Sequence, residues 1–240
     1  MSTLVIVTGG SAGLGRALLA ASPQGSHRVD VSRSGPPEEA DGHIRADLGD
    51  PASWAAVGDA IAQLVRDQAW ERITLVHNAG TLEPIGFAGE VDDDAYAANV
   101  LLNSAAGQVL GHHFLAAVGD LPARRELVLI SSGAARTAYA GWSGYSAGKA
   151  AGDQWVRAVG DEQQQRGGVT VVAVAPGVVA TGMQALVRGA DEADFPRVER
   201  FRDLHERGEL ADPDTVAVRL WELLDDPQLT TGDVVDLRSR

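Results

Sequence analysis

The sequence predicts an α/β fold: a single domain over residues 1–240, doubly wound, with a parallel sheet of about seven strands flanked by helices. Three observations carry this. Short apolar runs at residues 4–7, 29–31, 73–76, 127–130 and 169–175 alternate with segments of helical length. The runs are near-continuous in Val, Ile and Leu, so both faces of the sheet should be covered, as in a parallel sheet with crossover helices. The first run also empties into a glycine-rich turn, Thr8-Gly9-Gly10-Ser11-Ala12-Gly13-Leu14-Gly15, placed to open a helix.

Each element follows in order. In the first turn Gly9 permits a tight bend, Gly13 lets backbone approach a pyrophosphate, and Gly15 allows close helix packing, with the helix N-terminus facing the anion. The second strand ends at Val31-Ser32-Arg33-Ser34. An acidic residue there would accept from a ribose 2′-hydroxyl; Ser32 and Arg33 instead suit a 2′-phosphate, or Arg33 is an ordinary surface arginine. Asp30 shares the face of Ser32 and should lie deeper. Gly35-Pro36-Pro37 marks a loop, and Asp47 and Leu48 fall just past a strand end, as do Asn78, Ala79 and Gly80, where ligands bind in this architecture. Asp50-Pro51 and Asp212-Pro213 each start a helix as N-cap plus first-turn proline. Asp92-Asp93-Asp94 reads as acidic residues entering another. Ser131-Ser132 closes the strand at 127–130. The charge-rich segment 182–211, with Pro196, breaks the alternation and is expected as a mobile flap over a substrate, and 231–237 as the last strand.

Composition narrows the function. A formal net charge of -13 argues against broad phosphate-binding surfaces, so neither nucleic acid nor an anionic membrane is expected as a partner. With no cysteine, disulfides and thiolate metal sites are excluded. His112-His113 lacks carboxylate partners at a ligand spacing, so no metal is assigned. The N-terminal apolar run is too short for a signal peptide or a membrane span, which suggests a cytoplasmic protein acting on a small molecule.

The chain has a single lysine, Lys149, four residues after Tyr145, one of only three tyrosines. On a helix these two share a face. Bringing a phenol from pKa about 10 to near 7 takes about 4 kcal/mol, which one cation about 4 Å away supplies at an effective dielectric of about 20. A compact ammonium can hold that charge beside the phenol while reaching a ribose hydroxyl, whereas a planar guanidinium presents a different donor array. The alternative is an exposed pair on a solvated helix.

Taken together, TGxxxGxG at 8–15, Asn78-Ala79-Gly80, Ser132 thirteen residues before Tyr145, YxxxK, and Pro176-Gly177 followed by Thr181 resemble the short-chain dehydrogenase/reductase family, over nearly the whole chain. The resemblance implies a Rossmann-type fold and an oxidoreductase in which Asn99, Ser132, Tyr145 and Lys149 are catalytic. It implies that NADPH is the cofactor, held by Gly9, Ser11, Gly13, Leu14, Gly15, Ser32, Arg33, Asp47, Leu48, Asn78, Ala79, Gly80, Tyr145, Lys149, Pro176, Gly177, Val179 and Thr181, and that the protein is a homo-oligomer, dimer or tetramer. Two departures stand out: Ala12 occupies a position often basic in NADP-dependent members, and the common NNAG reads His77-Asn78-Ala79-Gly80. A finer resemblance is to the sepiapterin and benzil reductase branch, through Gly141-Trp142, Met183-Gln184 and the 232–237 stretch. It implies a carbonyl substrate beside a second carbonyl, with Ser132, Trp142, Met183 and Asp236 as substrate residues. Asp236 matches a pterin anchor or is a solvated terminus; Trp142 is a pocket wall or packing; Met183 and Leu186 cover the nicotinamide pocket or pack the flap. A silent NADP-binding regulator is the rival from another class.

Overall fold

The computed structural model describes residues 2–239. Seven strands, β1 (Thr3–Thr8), β2 (Ser26–Ser32), β3 (Gly42–Arg45), β4 (Arg72–His77), β5 (Arg124–Ile130), β6 (Thr170–Ala175) and β7 (Val234–Asp236), form one parallel sheet in the order β3-β2-β1-β4-β5-β6-β7. The helices are α1 (Gly13–Ala20), α2 (Trp54–Arg66), α3 (Asp93–Val100), α4 (Gly107–Val118), α5 (Ser143–Arg166), α6 (Gly182–Gly189), α7 (Val198–Glu206) and α8 (Pro213–Leu224). Between α3 and α4 the chain keeps winding through a π-helical segment, Leu101–Ala106.

The register explains the unbroken apolar runs. Ile6 pairs with Val29 and Leu75, and Leu75 with Leu127, so these side chains line one face in a row. They pack with Ile61, Phe114 and Val156 of α2, α4 and α5. Their strand neighbours Val5, Val7, Val76 and Val128 fill the opposite face against Leu18 and Leu220 of α1 and α8. Each such side chain removed from water contributes about 1.5–3 kcal/mol, so a polar residue on either face would be costly.

Caps follow the predicted aspartates. Asp50 accepts from Ala52 N at 2.9 Å, Asp92 from Ala95 N at 2.8 Å and Asp212 from Thr215 N at 2.9 Å, although Pro51 begins one 3₁₀ turn, Pro51–Ser53, before α2. His113 packs against Gly58 of α2, which gives it a structural place. The last strand is shorter than expected, because Gly232, at φ +92°, turns under α5, where any side chain at Gly160 would strike it. Residues 182–211 contain the two helices α6 and α7. Phe195, Val198 and Phe201 are buried with Trp142, and the base of the segment is closed by hydrogen bonds between Ala211 and Val178 and between Ala180 and Ala211, both 2.9 Å.

Candidate active site

The carboxyl ends of the strands open into one crevice of about 530 Å³, whose lining includes the glycine-rich turn, Ser132, Tyr145 and Lys149. Gly9 and Gly13 adopt φ of +67° and +54°, a region that L side chains avoid, and a methyl at Gly15 would sit 2.1 Å from the Gly9 carbonyl. Asp30 is fully buried and accepts from Gly10 N at 2.8 Å and from Ser32 Oγ at 2.6 Å, so it braces the turn and is not offered to a ribose. The first turn of α1 carries no side-chain cap, leaving its amides for an anion. Thr8 Oγ1 accepts from Asn78 N at 3.1 Å and Ala79 N at 3.0 Å, leaving its O–H for His77 Nδ1 at 3.1 Å. Burial pulls the His77 imidazole down to about 3, so it stays neutral as that acceptor.

Beside this cradle, α5 presents Tyr145 and Lys149 one turn apart, both buried. Burial raises the Tyr145 phenol above its ordinary value, opposed by the adjacent Ser132 hydroxyl. The Lys149 ammonium donates to the Ile130 carbonyl at 2.8 Å and lies 5.7 Å from the Tyr145 ring centroid. Burial also pulls Lys149 down to about 8, with Asp153 opposing. Asp153 in turn accepts from Ser131 Oγ at 2.5 Å, which engages that hydroxyl and leaves Ser132 as the hydroxyl beside Tyr145.

Among the sequence-predicted residues, Ser11, Leu14, Ser32, Arg33, Asp47, Leu48, Ala79, Gly80, Pro176, Gly177, Val179 and Thr181 line the same crevice, as do Trp142 and Met183. Asn78 lines it too, though its amide is turned to the Thr8 and Gly9 carbonyls, both 3.2 Å away. Arg33 is 76% exposed and 3.8 Å from Asp47. Trp142 lines the crevice and stacks on Phe195 at 4.3 Å.

Three expectations are corrected. Asn99 does not face the crevice; its amide donates to the Thr81 and Glu83 carbonyls at 3.3 and 2.8 Å and clamps that loop. Asn103, one turn on in the π-helical segment, is the asparagine beside Lys149, both lining a small cavity behind the crevice. The spacing of four makes the two look equivalent in sequence, and only the π turn, which displaces the helix face, separates them. Asp236 is not free for a substrate: Arg238 donates to it through Nε at 3.0 Å and Nη2 at 2.6 Å, and holds the carboxyl below its usual range. Arg238 itself lines the crevice, as does Arg200, and sequence reasoning missed both. Leu186 is exposed, and Gln184 and Val187 of α6 line the crevice with Met183.

A parallel doubly wound sheet whose strand ends carry a glycine cradle and a buried Tyr/Lys pair defines a dinucleotide-binding oxidoreductase. Comparison with known proteins agrees: the short chain dehydrogenase profile matches residues 3–192, and the chain belongs to this family. It is 33% identical over 231 residues to a benzil reductase ((S)-benzoin forming) of Bacillus subtilis, covering 92% of this chain and 93% of the relative. It is 34% identical over 194 residues to the sepiapterin reductase of Meriones unguiculatus, covering 80% and 72%. In fold it is similar to a short-chain dehydrogenase/reductase from Saccharomyces cerevisiae, with a TM-score of 0.84 at 24% identity over 98% of this chain and 96% of the other.

Proposed function

We propose that this oxidoreductase is an NADPH-dependent carbonyl reductase acting on vicinal dicarbonyls such as benzil. The observation that carries the reading is the convergence of Ser132, Tyr145 and Lys149 on one crevice that also holds the glycine cradle. The cradle fits a dinucleotide: the turn glycines leave no room for side chains, and uncapped amides face outward from α1. The crevice lining carries Arg33, Lys149 and Arg200 against a single carboxylate, Asp47, with Arg238 paired to Asp236, in a chain of net charge -13. That local reversal of sign suits a polyanionic cofactor.

The amides of residues 9–15 would hold the pyrophosphate, Ser32 and Arg33 the 2′-phosphate, Asp47 and Leu48 the adenine end, and Thr181 and Val179 the nicotinamide end. When bound, the nicotinamide supplies the hydride. Tyr145 holds a proton at Oη, kept there by burial, and gives it to the substrate oxygen. Ser132 donates a hydrogen bond to the same oxygen, and Lys149 stabilises the phenolate left behind. Asn103, which shares a small cavity with Lys149, accepts from Thr81 N at 3.1 Å and donates to the Thr81 carbonyl at 2.8 Å, and so holds the loop after Gly80. Residues 182–211 cover the substrate and exclude water.

Benzil is favoured over a pterin because Asp236, the matching anchor for a ring N–H, is occupied by Arg238. The aromatic cluster of Tyr139, Trp142 and Phe201 suits flat conjugated rings. The test is reduction by purified protein of benzil, sepiapterin and simple aliphatic ketones with NADPH. Benzil turnover is expected to lead, and brisk reduction of an aliphatic ketone with none of the other two would overturn the substrate reading.

A further inference from the structure

We infer that Arg238 is a specificity-determining residue that receives the second oxygen of the substrate, on the carbon next to the reacting carbonyl. This deepens the proposed reading and rests on it. Arg238 follows β7 and reaches into the crevice across two glycines. A methyl built on Gly177 would lie 3.2 Å from its Cδ, and one on Gly133 would lie 3.7 Å from its Nη2. Gly133 directly follows Ser132, and Ser132, Gly133 and Arg238 line the same crevice. Ser132 and Arg238 thus offer two donor groups to one crevice, one for each of two oxygens on adjacent carbons. A lone ketone can engage only one of them.

Asp236 makes this placement stable and sets its chemistry. Arginine has five N–H donors in a fixed fork; Nε and Nη2 each commit one to Asp236, and Nη1 has no partner among the described residues. The pair is close to neutral, although Arg136 and Tyr139 also act on it electrostatically. A near-neutral pair with free donors favours an uncharged carbonyl oxygen over a carboxylate. The preferred class is therefore vicinal diketones rather than 2-oxo acids.

The experiment measures NADPH-dependent reduction of two matched pairs, benzil against deoxybenzoin and hexane-3,4-dione against hexan-3-one, in the parent, Arg238→Met, Arg238→Lys and Asp236→Asn. Arg238→Met is expected to lower the dione-to-ketone ratio of kcat/KM about 10- to 100-fold, the range for a hydrogen bond to a charged group, mainly through KM. Asp236→Asn unbalances the charge and should raise activity on phenylglyoxylate relative to benzil. Arg238→Lys should recover only part of the ratio. NADPH affinity by fluorescence titration reports whether each variant keeps its fold and cofactor site. If both members of each pair fall together, or the ratio does not move, the inference is overturned. Failure of the parent on benzil alone would sink the aromatic substrate reading while the hexane pair still reads out Arg238. A parent that prefers the ketone in both pairs overturns both.

Discussion

Replacing the single lysine by methionine should make the protein more stable while abolishing turnover. Lys149 is 7% exposed, and burial pulls its ammonium from 10.5 to about 8. At about 1.36 kcal/mol per pH unit, that gap corresponds to about 3 kcal/mol by which the charged side chain weakens the fold at neutral pH. Methionine keeps the length of the stem without the charge. The gain is reduced because the Ile130 carbonyl loses its donor at 2.8 Å and Asp153 loses a favourable neighbour. A net gain of about 1–2 kcal/mol remains, which for a domain of this size is a Tm rise of about 2–8 °C. The pH dependence has a fixed sign. Below pH 8 the lysine is charged in both states and the full penalty applies; between about 8 and 10.5 the unfolded chain keeps the proton and the fold releases it, so the parent gains stability as pH rises. Calorimetry of parent and Lys149→Met from pH 6 to about 10, with NADPH-dependent reduction measured alongside, tests this. A variant no more stable than the parent at pH 7, or a Tm difference that does not narrow above about pH 8, would refute the reasoning.

Tyr145→Phe keeps the buried ring and removes the transferable proton, so kcat should fall about 10²- to 10⁴-fold with NADPH affinity retained; near-parental turnover would remove Tyr145 as the acid. Arg33→Ala should weaken NADPH about 10- to 100-fold more than NADH, read as the change in the ratio of the two kcat/KM values, since a charge-assisted pair to the 2′-phosphate is lost. Asp47→Asn should move that ratio the other way and by less, because the Arg33–Asp47 pair is exposed and 3.8 Å apart.

The sheet was legible because its strands are buried on both faces. Each run of Val, Ile and Leu reports its own environment without help from distant residues. β3 shows the limit: Gly42–Arg45 is a half-exposed edge strand with no apolar run, and only its place before Ala46 betrayed it. The cradle glycines and the Tyr145/Lys149 pair were legible for a related reason. Their spacing in the chain is their spacing in space, across one turn or one helical repeat.

Residues whose side-chain partners are set by how the chain turns and packs were not. Asn99 and Asn103 differ only by a π turn set through packing on α5, where Gly148 lets Asn103 approach. Asp236 looked like a free carboxylate until the short turn after β7 folded Arg238 back onto it. Sequence by itself determined the layer order of the fold and the chemistry available at the strand ends, since local burial and local spacing encode both. Tertiary structure alone decided which asparagine stands by the lysine and which charge of the last turn lines the crevice, because a side chain's orientation depends on the neighbours that compete for its hydrogen bonds.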